Sequence, residues 1–281
     1  MKLFFSIITP SLNQSHFLEQ TIKSIQRQTY KNFEHIVVDG GSTDGTIEIL
    51  KKYSSKIKWI SEKDKGQTNA INKGLKMAKG EIVTYLNSDD LYEKYTLETV
   101  VNFFSKNSKA MIVYGKAKFI DEKGKFLGYY ETQEPTLKNL FKECVISQPT
   151  VFFRRKLLEE IGYFDESLNY AMDYDYWRRV TKKYHFYFID KVLAATRLHK
   201  DTKTSKDKIK VFEEILKVLK KNYGKVSDEA VFNYAYLLAD NPKGIIKEAI
   251  KIYKKYHQLP GLVGVRYFIF FSKIIIWELI K

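Results

Sequence analysis

The first ninety residues alternate between short apolar runs and longer segments that carry an apolar stripe. The runs are rich in β-branched and aromatic residues, as strands are, and the longer segments repeat apolar positions every three or four residues, as amphipathic helices do. The predicted strands are residues 4–9, 33–39, 57–60 and 82–86, and the predicted helices are residues 15–28, 46–53 and 68–78. This alternation predicts an α/β fold with a mainly parallel central sheet flanked by helices.

The pattern changes in the second half of the chain. Residues 117–120 and 126–130 are β-rich and flank the polar turn 121–124, which predicts a hairpin. Three further strands are predicted at residues 151–153, 186–189 and 192–196. After His199 the chain is Lys-rich and helical, and residues 205–223 carry one apolar stripe. We therefore expect one domain of residues 1–204 and a helical C-terminal region of residues 205–281.

Composition narrows the class of protein. With 44% hydrophobic and 29% charged residues and only 5 Pro, the chain is globular rather than disordered. The single cysteine, Cys144, excludes an internal disulfide framework and fits a reducing compartment. The first predicted strand begins almost at Met1, so we expect no signal peptide and a cytoplasmic location. A net charge of +15 indicates an anionic partner, but the Lys residues are spread without a recognition motif, so nucleic acid is not expected.

The segment 261–281 is intensely apolar, but Arg266, Lys273 and Glu278 interrupt it. No uncharged run approaches the ~20 residues that a spanning helix needs. Two interpretations stay open: a helix buried against protein, including a second copy in a homo-oligomer, or an interfacial helix at the inner face of the cell membrane. The Lys-rich helices before it suit an anionic bilayer and suit a solvated face equally well. We expect peripheral membrane contact through residues 261–281.

Two adjacent carboxylates follow the predicted strand 82–86, in the sequence Asn87-Ser88-Asp89-Asp90. Ligands of open α/β sheets bind at the carboxyl ends of the strands, where these residues would lie. Neighbouring carboxylates repel each other, and a divalent cation relieves that repulsion. The alternative is an ordinary turn with two solvated aspartates, because Asn, Ser and Asp are common turn residues.

A glycine-rich turn, residues 39–45, follows the predicted strand 33–39. Its spacing does not match the dinucleotide fingerprint G-x-G-x-x-G, and no Walker lysine follows. Asp39 would end its strand at the same sheet edge as Asp89, where its carboxylate can accept from a base N–H or a ribose hydroxyl. Asp44 precedes a predicted helix and is assigned to helix capping.

The order of these motifs resembles the family 2 glycosyltransferases with the GT-A fold, and most of all the bacterial and archaeal members that build cell-surface polysaccharides. The matching segments are Thr9-Pro10-Ser11-Leu12-Asn13, residues 37–46, residues 61–67, residues 69–74, Asn87-Ser88-Asp89-Asp90, Gln148-Pro149-Thr150, residues 172–177 and Arg197-Leu198-His199. The resemblance covers roughly residues 3–205. It implies a GT-A domain with a C-terminal helical extension.

The resemblance also implies a nucleotide-sugar site. Thr9, Pro10 and Asp39 would hold the base, and a loop containing Asp64, Lys65 and Gln67 would close over base and ribose. The D-x-D motif corresponds to Asn87, Ser88 and Asp89. Asp89 would bind Mn²⁺ or Mg²⁺ between the two phosphates, and His199 is the expected further metal ligand. Asn87 replaces the more common aspartate, and Asp90 is expected to compensate for that lost charge.

An inverting reaction is implied by the same resemblance. The acceptor hydroxyl attacks the anomeric carbon opposite the leaving nucleoside diphosphate, and a carboxylate removes its proton. Relatives commonly carry Glu-Asp at the start of a helix, where this chain has Met172-Asp173. Asp173 is therefore the expected base, with Asp175 as the alternative. Gln148 is expected to bind the acceptor, and Trp177 either supplies a platform for the acceptor sugar or packs in the core.

These features predict a glycosyltransferase of the hexosyltransferase type that moves a sugar from a nucleotide-diphosphate donor, a uridine-based one by preference, to a glycan or lipid-linked acceptor. A sugar-1-phosphate nucleotidyltransferase shares the sheet architecture but needs a Gly-rich basic loop after the first strand, which residues 10–14 lack. The remaining alternative is an inactive scaffold that binds carbohydrate or nucleotide, because Asn87 and Met172 depart from the family pattern.

Overall fold

The computed structural model describes residues 3–280, and for residues 204, 205 and 275–280 it describes the backbone alone. Lys281, the last residue of the predicted segment 261–281, lies outside the described residues. The chain folds into two compact units. Unit 1 contains the chain up to Pro135 together with Val145–His199, and unit 2 contains Thr136–Cys144 together with the chain from Lys200 onward.

Unit 1 is built on one mixed sheet. Its strands are β1 (Phe5–Ser11), β2 (Phe33–Asp39), β3 (Lys58–Ser61), β4 (Ile82–Tyr85), β5 (Leu91–Tyr92), β6 (Ile112–Ile120), β7 (Phe126–Tyr129), β8 (Phe152–Arg154) and β9 (Phe186–Arg197). The strand order is β3-β2-β1-β4-β8-β6-β9-β5, and β7 pairs with β6 outside this path. The four strands β3, β2, β1 and β4 are parallel to one another, as the alternating pattern predicts. Beyond them β8 is antiparallel to β4 and β6, while β9 is parallel to β6.

Helices cover this sheet. Those of unit 1 are α1 (Leu18–Gln26), α2 (Thr46–Lys52), α3 (Gln67–Met77), α4 (Thr96–Lys106), α6 (Lys156–Ile161) and α7 (Met172–Thr181), and α5 (Leu137–Lys142) belongs to unit 2. Every residue of β1 is buried, as expected for a strand covered on both faces. At Gly74 of α3 a Cβ would overlap the side chain of Ile8, so glycine permits the close approach of α3 to β1. The predicted α/β class is confirmed.

Two strands differ from their predictions. The strand predicted at residues 117–120 is longer, because β6 begins at Ile112. Residues 186–189 and 192–196, predicted as two strands, form the single strand β9. Asp190 and Lys191 between them are exposed, and the pairing with β6 shifts register around Lys116. The polar pair therefore lies at an irregularity of the ladder and does not end the strand.

Unit 2 is helical in its described part. After α5 it contains α8 (Lys203–Lys206), α9 (Lys208–Tyr223), α10 (Asp228–Leu238), α11 (Pro242–Lys255) and α12 (Leu262–Ile280). The predicted helix 205–223 is thus interrupted at Asp207, and its stripe buries Leu216 and Leu219. Asp228 fixes the start of α12, because its carboxylate accepts from the N–H groups of Gly261 (3.1 Å) and Gly264 (2.8 Å).

The helix α12 has two different faces. One face packs on α10, where the ring of Phe232 lies 4.7 Å from Tyr267 and 5.1 Å from Phe268. The other face exposes apolar side chains, among them Ile269 (52%) and Phe270 (56%). The side chain of Glu278 lies outside the described part. No helix within residues 3–280 is long and apolar enough to cross a bilayer.

Candidate active site

The carboxyl ends of β1, β2 and β4 meet at one edge of the sheet, and three polar segments follow them. Ser11 at the end of β1 lies in register with Asp39 at the end of β2, and the N–H of Leu86, just after β4, donates to the Ile8 carbonyl of β1 (2.8 Å). The predicted site residues of the Asp39 turn, the 64–67 loop and the 87–90 turn are therefore gathered at this edge.

Asp39 shapes the turn after β2. It is fully buried, and its Oδ2 accepts from the N–H groups of Gly41 (3.0 Å) and Ser42 (2.9 Å) and from the Ser61 hydroxyl (2.7 Å). Its Oδ1 accepts from the Ser42 hydroxyl. Since a carboxylate oxygen has two lone pairs, Oδ1 keeps capacity for one further donor. The N-cap residue of α2 is Gly45 and not Asp44, which lies one residue earlier and accepts from the Thr46 N–H (3.1 Å).

The 64–67 loop lies between the other two segments. Asp64 is half-buried, and its Oδ1 accepts from the N–H of Gly66 (2.8 Å). A Cβ at Gly40 would lie 2.7 Å from Asp64 Oδ2, so the glycine lets the loop pack on the Asp39 turn. Lys65 is exposed, and Gln67 donates through Nε2 to Asn87 Oδ1 (2.8 Å). This loop thus joins the turn after β2 to the turn after β4.

The 87–90 turn directs its two carboxylates differently. Asp90 is 3% exposed, and its oxygens accept from the Arg197 N–H (3.0 Å) and from Asn87 Nδ2 (3.3 Å). Burial raises the pKa of Asp90 well above its ordinary value, and the charge of Asp89 raises it further. Both oxygens are thus engaged inside the protein. Asp90 therefore cannot coordinate a metal directly, and the expectation that it replaces the charge missing at Asn87 is wrong in that sense.

Asp89 lies next to His199. The distance from His199 Nε2 to Asp89 Oδ2 is 3.1 Å, although 110 positions separate the two residues. The His199 ring is held against Phe17, with ring centroids 4.8 Å apart. The Thr21 hydroxyl also holds the 87–90 turn, because it donates to the Ser88 carbonyl (2.8 Å).

Arg197 is a supporting residue that the sequence analysis did not single out. It is 1% exposed, donates through Nε to the Asp89 carbonyl (2.9 Å) and through Nη1 to the Glu122 carbonyl (2.8 Å). Its Nη2 donates to Gln20 Oε1 (2.9 Å), and its guanidinium lies over the Phe17 ring (4.8 Å). Arg197 therefore fixes the backbone of Asp89 two residues before His199.

The pair Asp89 and His199 fits a divalent cation. Two neighbouring ligands of an octahedral cation with bonds of about 2.1 Å lie about 3 Å apart, close to the observed 3.1 Å. A carboxylate suits both manganese and magnesium, and an imidazole suits transition-metal ions rather than magnesium. Within residues 3–280 no group of three or more His, Cys, Asp or Glu could hold a metal. The remaining ligands would have to come from a bound substrate and water.

Asp173 and Asp175 lie in different surroundings on α7. Asp173 is half-buried in the first turn, and its Oδ1 accepts from the N–H of Tyr174 (2.7 Å). Asp175 is 1% exposed and forms an ion pair with Arg179 (2.8 Å). Its burial and its ion pair exclude Asp175 from the alternative role of base, and Asp173 stays the prediction.

Trp177 belongs to the core. It has no exposed surface, and its ring lies 6.2 Å from Phe164, 6.3 Å from Phe153 and 5.6 Å from Tyr176. A sugar platform needs an exposed ring face. The prediction that Trp177 binds the acceptor is therefore wrong, and its role is packing in the core. The apolar stripe of α7 and not the acceptor explains its position.

Three further predicted residues are also buried. Thr9 is fully buried, with its hydroxyl 2.9 Å from His35 Nε2, so its side chain contacts the neighbouring strand and not the open edge of the sheet. Pro10 is buried as well. Gln148 is 9% exposed and donates through Nε2 to the Tyr85 carbonyl (2.7 Å) at the end of β4. In the described residues its Oε1 has no hydrogen-bond partner. Because this oxygen is itself buried, the structure does not support the predicted role of Gln148 as an acceptor-binding residue.

Solved structures share this architecture. TarS of S. aureus in complex with UDP-GlcNAc superposes with a TM-score of 0.63 at 24% identity, over 84% of this chain and 72% of that chain. This chain spans 43% of the longer TarS chain. The mannosyltransferase PcManGT of Pyrobaculum calidifontis, in complex with GDP-Man and Mn²⁺, gives a TM-score of 0.62 at 17% identity, over 98% of this chain and 81% of that chain. The fold is the GT-A glycosyltransferase fold.

Sequence comparisons give the family. Residues 6–162 match the model of the family described as Glycosyl transferase family 2. An uncharacterized glycosyltransferase of Rickettsia typhi, RT0329, is 34% identical over 222 residues, which are 74% of this chain and 68% of the relative. The UDP-Glc:alpha-D-GlcNAc-diphosphoundecaprenol beta-1,3-glucosyltransferase WfgD of Escherichia coli is 32% identical over 179 residues, 63% of this chain and 69% of the relative. The chain belongs to glycosyl transferase family 2, as the resemblance in its motifs predicts.

Proposed function

We propose that the chain is an inverting, metal-dependent glycosyltransferase that transfers a hexose from a uridine diphosphate donor to a hydroxyl of a glycan or lipid-linked acceptor. The observation that carries the proposal is the Asp89–His199 pair, 3.1 Å apart, beside a loop joined to the same turn by Gln67 and Asn87. A turn of merely solvated aspartates does not require a buried arginine on the Asp89 carbonyl.

The donor proposal draws on the site and on the relatives. Asp39 Oδ1 keeps capacity for a base or ribose donor, and exposed Lys65 on the neighbouring loop carries a charge suited to a diphosphate. WfgD is named as using UDP-Glc with a lipid-linked acceptor, and TarS is described with UDP-GlcNAc. These names support a uridine donor and a lipid-linked acceptor here.

The proposed reaction divides its work between two groups. The Asp173 carboxylate takes the proton of the acceptor hydroxyl while the oxygen of that hydroxyl bonds to the anomeric carbon of the donor sugar. The bond from that carbon to the diphosphate oxygen breaks, and uridine diphosphate leaves with the electron pair. A divalent cation held by Asp89 and His199 would neutralise charge on the diphosphate. Gln148 holds the Tyr85 carbonyl at the end of β4 through Nε2, and its Oε1 is buried, so we propose that it supports the site without contacting the acceptor sugar.

Donor hydrolysis by the purified protein tests this function. A panel of uridine, guanosine and thymidine diphosphate sugars is incubated with Mn²⁺ or Mg²⁺, and the released nucleoside diphosphate is measured. We expect metal-dependent release from one uridine donor, lost in Asp89→Ala and retained in the exposed control Asp240→Ala. Nucleotide binding without release by the wild type, even with lipid-linked glycans added, would instead favour an inactive binding scaffold.

Unit 2 is proposed to contact an anionic membrane surface at the inner face of the cell membrane through α12. Its exposed face combines Leu262 (86%), Ile269 (52%) and Phe270 (56%) with the exposed cations Arg266 and Lys273. Apolar side chains flanked by cations are typical of interfacial helices, and the net charge of +15 favours an anionic surface.

Vesicle sedimentation tests this contact. We expect binding to phosphatidylglycerol vesicles that weakens with salt and is lost in Ile269→Glu/Phe270→Glu. The control Tyr236→Glu changes a residue of α10 that is 66% exposed and should leave binding intact. Absence of vesicle binding, with dimers that the double variant dissociates, would show that the face binds a second copy of the chain.

A further inference from the structure

The polar face of α3 holds the segment that leads into α7. Asn72 Nδ2 donates to the Phe164 carbonyl (2.9 Å) and to Glu166 Oε1 (2.9 Å), and Asn72 Oδ1 accepts from the Phe164 N–H (3.2 Å). Asn72 is only 2% exposed. A buried amide with three directional hydrogen bonds fixes the position of the segment along α3, which apolar packing alone would leave free to slide.

The same contacts continue toward the N-terminus of α3. Asn69 Nδ2 donates to Glu166 Oε2 (2.8 Å), so the two oxygens of one carboxylate connect two residues of α3. The Thr68 hydroxyl donates to the Leu168 carbonyl. Hydrogen bonds from Asn72 and Asn69 lower the pKa of Glu166 below its ordinary value, because they stabilise the carboxylate.

The last contact reaches the 64–67 loop itself. Gly66 has a positive φ of 112°, and a Cβ at this position would lie 2.6 Å from Asn169 Oδ1. Glycine is therefore needed both for the backbone conformation and for the close approach of residue 169. From residue 72 to residue 66, α3 and its preceding loop contact residues 164–169 in reverse order.

The two ends of this contact belong to the two halves of the proposed site. The 64–67 loop joins Asn87 through Gln67, on the donor side. The segment 164–169 continues after two residues into α7, whose second residue is Asp173. A displacement of 164–169 would therefore move Asp173 relative to the donor without touching either substrate.

We propose that Asn72 and Glu166 are positioning residues that set the place of Asp173 relative to the nucleotide-sugar. The inference rests on the proposed function and assigns a role to residues outside the substrate contacts. A merely structural role would lower stability alone. The positioning role lowers the turnover of bound donor while nucleotide affinity stays constant.

Asn72→Leu tests this proposal, because leucine has a similar volume and makes none of the three hydrogen bonds. We expect kcat for release of uridine diphosphate from the donor to fall 10-fold or more, with the Kd for uridine diphosphate and Mn²⁺ within twofold of wild type. Glu166→Gln, which keeps an acceptor for Asn72, should lose only two- to fourfold. The matched control Glu160→Gln removes a carboxylate that bonds Lys183 and Tyr184, after the other end of α7, and should keep kcat.

Hydrogen–deuterium exchange supplies a readout that does not need turnover. In the wild type, uridine diphosphate with Mn²⁺ should slow amide exchange in residues 64–70 and also in residues 164–173. In the double variant Glu166→Gln/Asn69→Leu it should slow exchange in residues 64–70 only. Wild-type kcat in folded Asn72→Leu, or protection of 64–70 alone in the wild type, would overturn the inference. A wild type that neither binds uridine diphosphate nor releases it would instead overturn the proposed function, and the inference with it.

Discussion

Replacing Arg197 by methionine removes the group that fixes the Asp89 backbone beside His199. Methionine has a similar reach and stays apolar, so the substitution deletes the guanidinium without opening a large cavity. The variant loses the bond from Nε to the Asp89 carbonyl (2.9 Å) and the contact with the Phe17 ring. We expect a folded but destabilised protein that binds nucleotide poorly in the presence of Mn²⁺.

The size of the effect follows from the four acceptors that Arg197 serves. A hydrogen bond from a charged donor contributes about 1.5–3 kcal/mol. The carbonyls of Asp121 and Glu122 and the amide of Gln20 lie at accessible positions and regain water, so the full loss applies to the Asp89 carbonyl. Burial lowers the pKa of Arg197, and methionine avoids that cost of burying a charge. The free energy of unfolding should therefore fall by about 2 kcal/mol, within the range for losing one hydrogen bond from a charged donor.

Urea unfolding and calorimetric titration of uridine diphosphate with Mn²⁺ measure the two effects separately. The expected affinity loss is 10-fold or more, measured under conditions where the variant is folded. Arg179→Met is the matched control, because Arg179 likewise donates to backbone carbonyls, those of Ile161 and Tyr163, and in addition to the Asp175 carboxylate. It should lose similar stability and keep nucleotide affinity. Wild-type affinity in Arg197→Met would refute the reasoning.

Three further predictions follow from single contacts. Asp173→Asn should lower kcat about 100-fold or more with unchanged nucleotide affinity, as loss of a general base does, and a smaller loss would move the role elsewhere. In Gly80→Ala the new Cβ would lie 2.6 Å from the Phe5 carbonyl carbon. The free energy of unfolding should therefore fall by about 2 kcal/mol, seen as a lower urea midpoint, and an unchanged midpoint would contradict this close contact. Burial lowers the pKa of His35 to about 3, so the folded protein excludes a proton that the unfolded chain takes up below its ordinary value of 6.5. Stability should therefore fall by about 2 kcal/mol between pH 7 and pH 5, and His35→Phe should flatten this dependence if the reasoning holds.

Local pattern was sufficient for the elements whose burial is one-sided or complete. The runs of β1, β2 and β4 and the stripes of α1 and α3 were readable because they pack on a continuous core. The pattern missed α4, although Leu97, Val100, Val101 and Phe104 form a buried stripe at helical spacing. It also divided β9, because exposed charges inside a strand resemble a turn until the neighbouring strand is known.

The site was predictable in part, and the resemblance supplied more of it than spacing did. The position of Asp89 at a strand end follows from its sequence neighbours, whereas its contact with His199 joins residues 110 positions apart and depends on the whole sheet. Arg197 could have been noticed as a charge at the end of an apolar strand. The contact of Asn72 with residue 164 depends on how α3 packs against the segment before α7, which one sequence does not reveal.

Pulsed electron paramagnetic resonance of Mn²⁺ bound with uridine diphosphate tests whether Asp89 and His199 hold the metal. We expect a nitrogen coupling from an imidazole ligand in the wild type that disappears in His199→Gln, together with weaker Mn²⁺ binding in Asp89→Asn. Bound Mn²⁺ without any nitrogen coupling, or with Mn²⁺ affinity unchanged in Asp89→Asn, would contradict the assignment of this pair as the metal site.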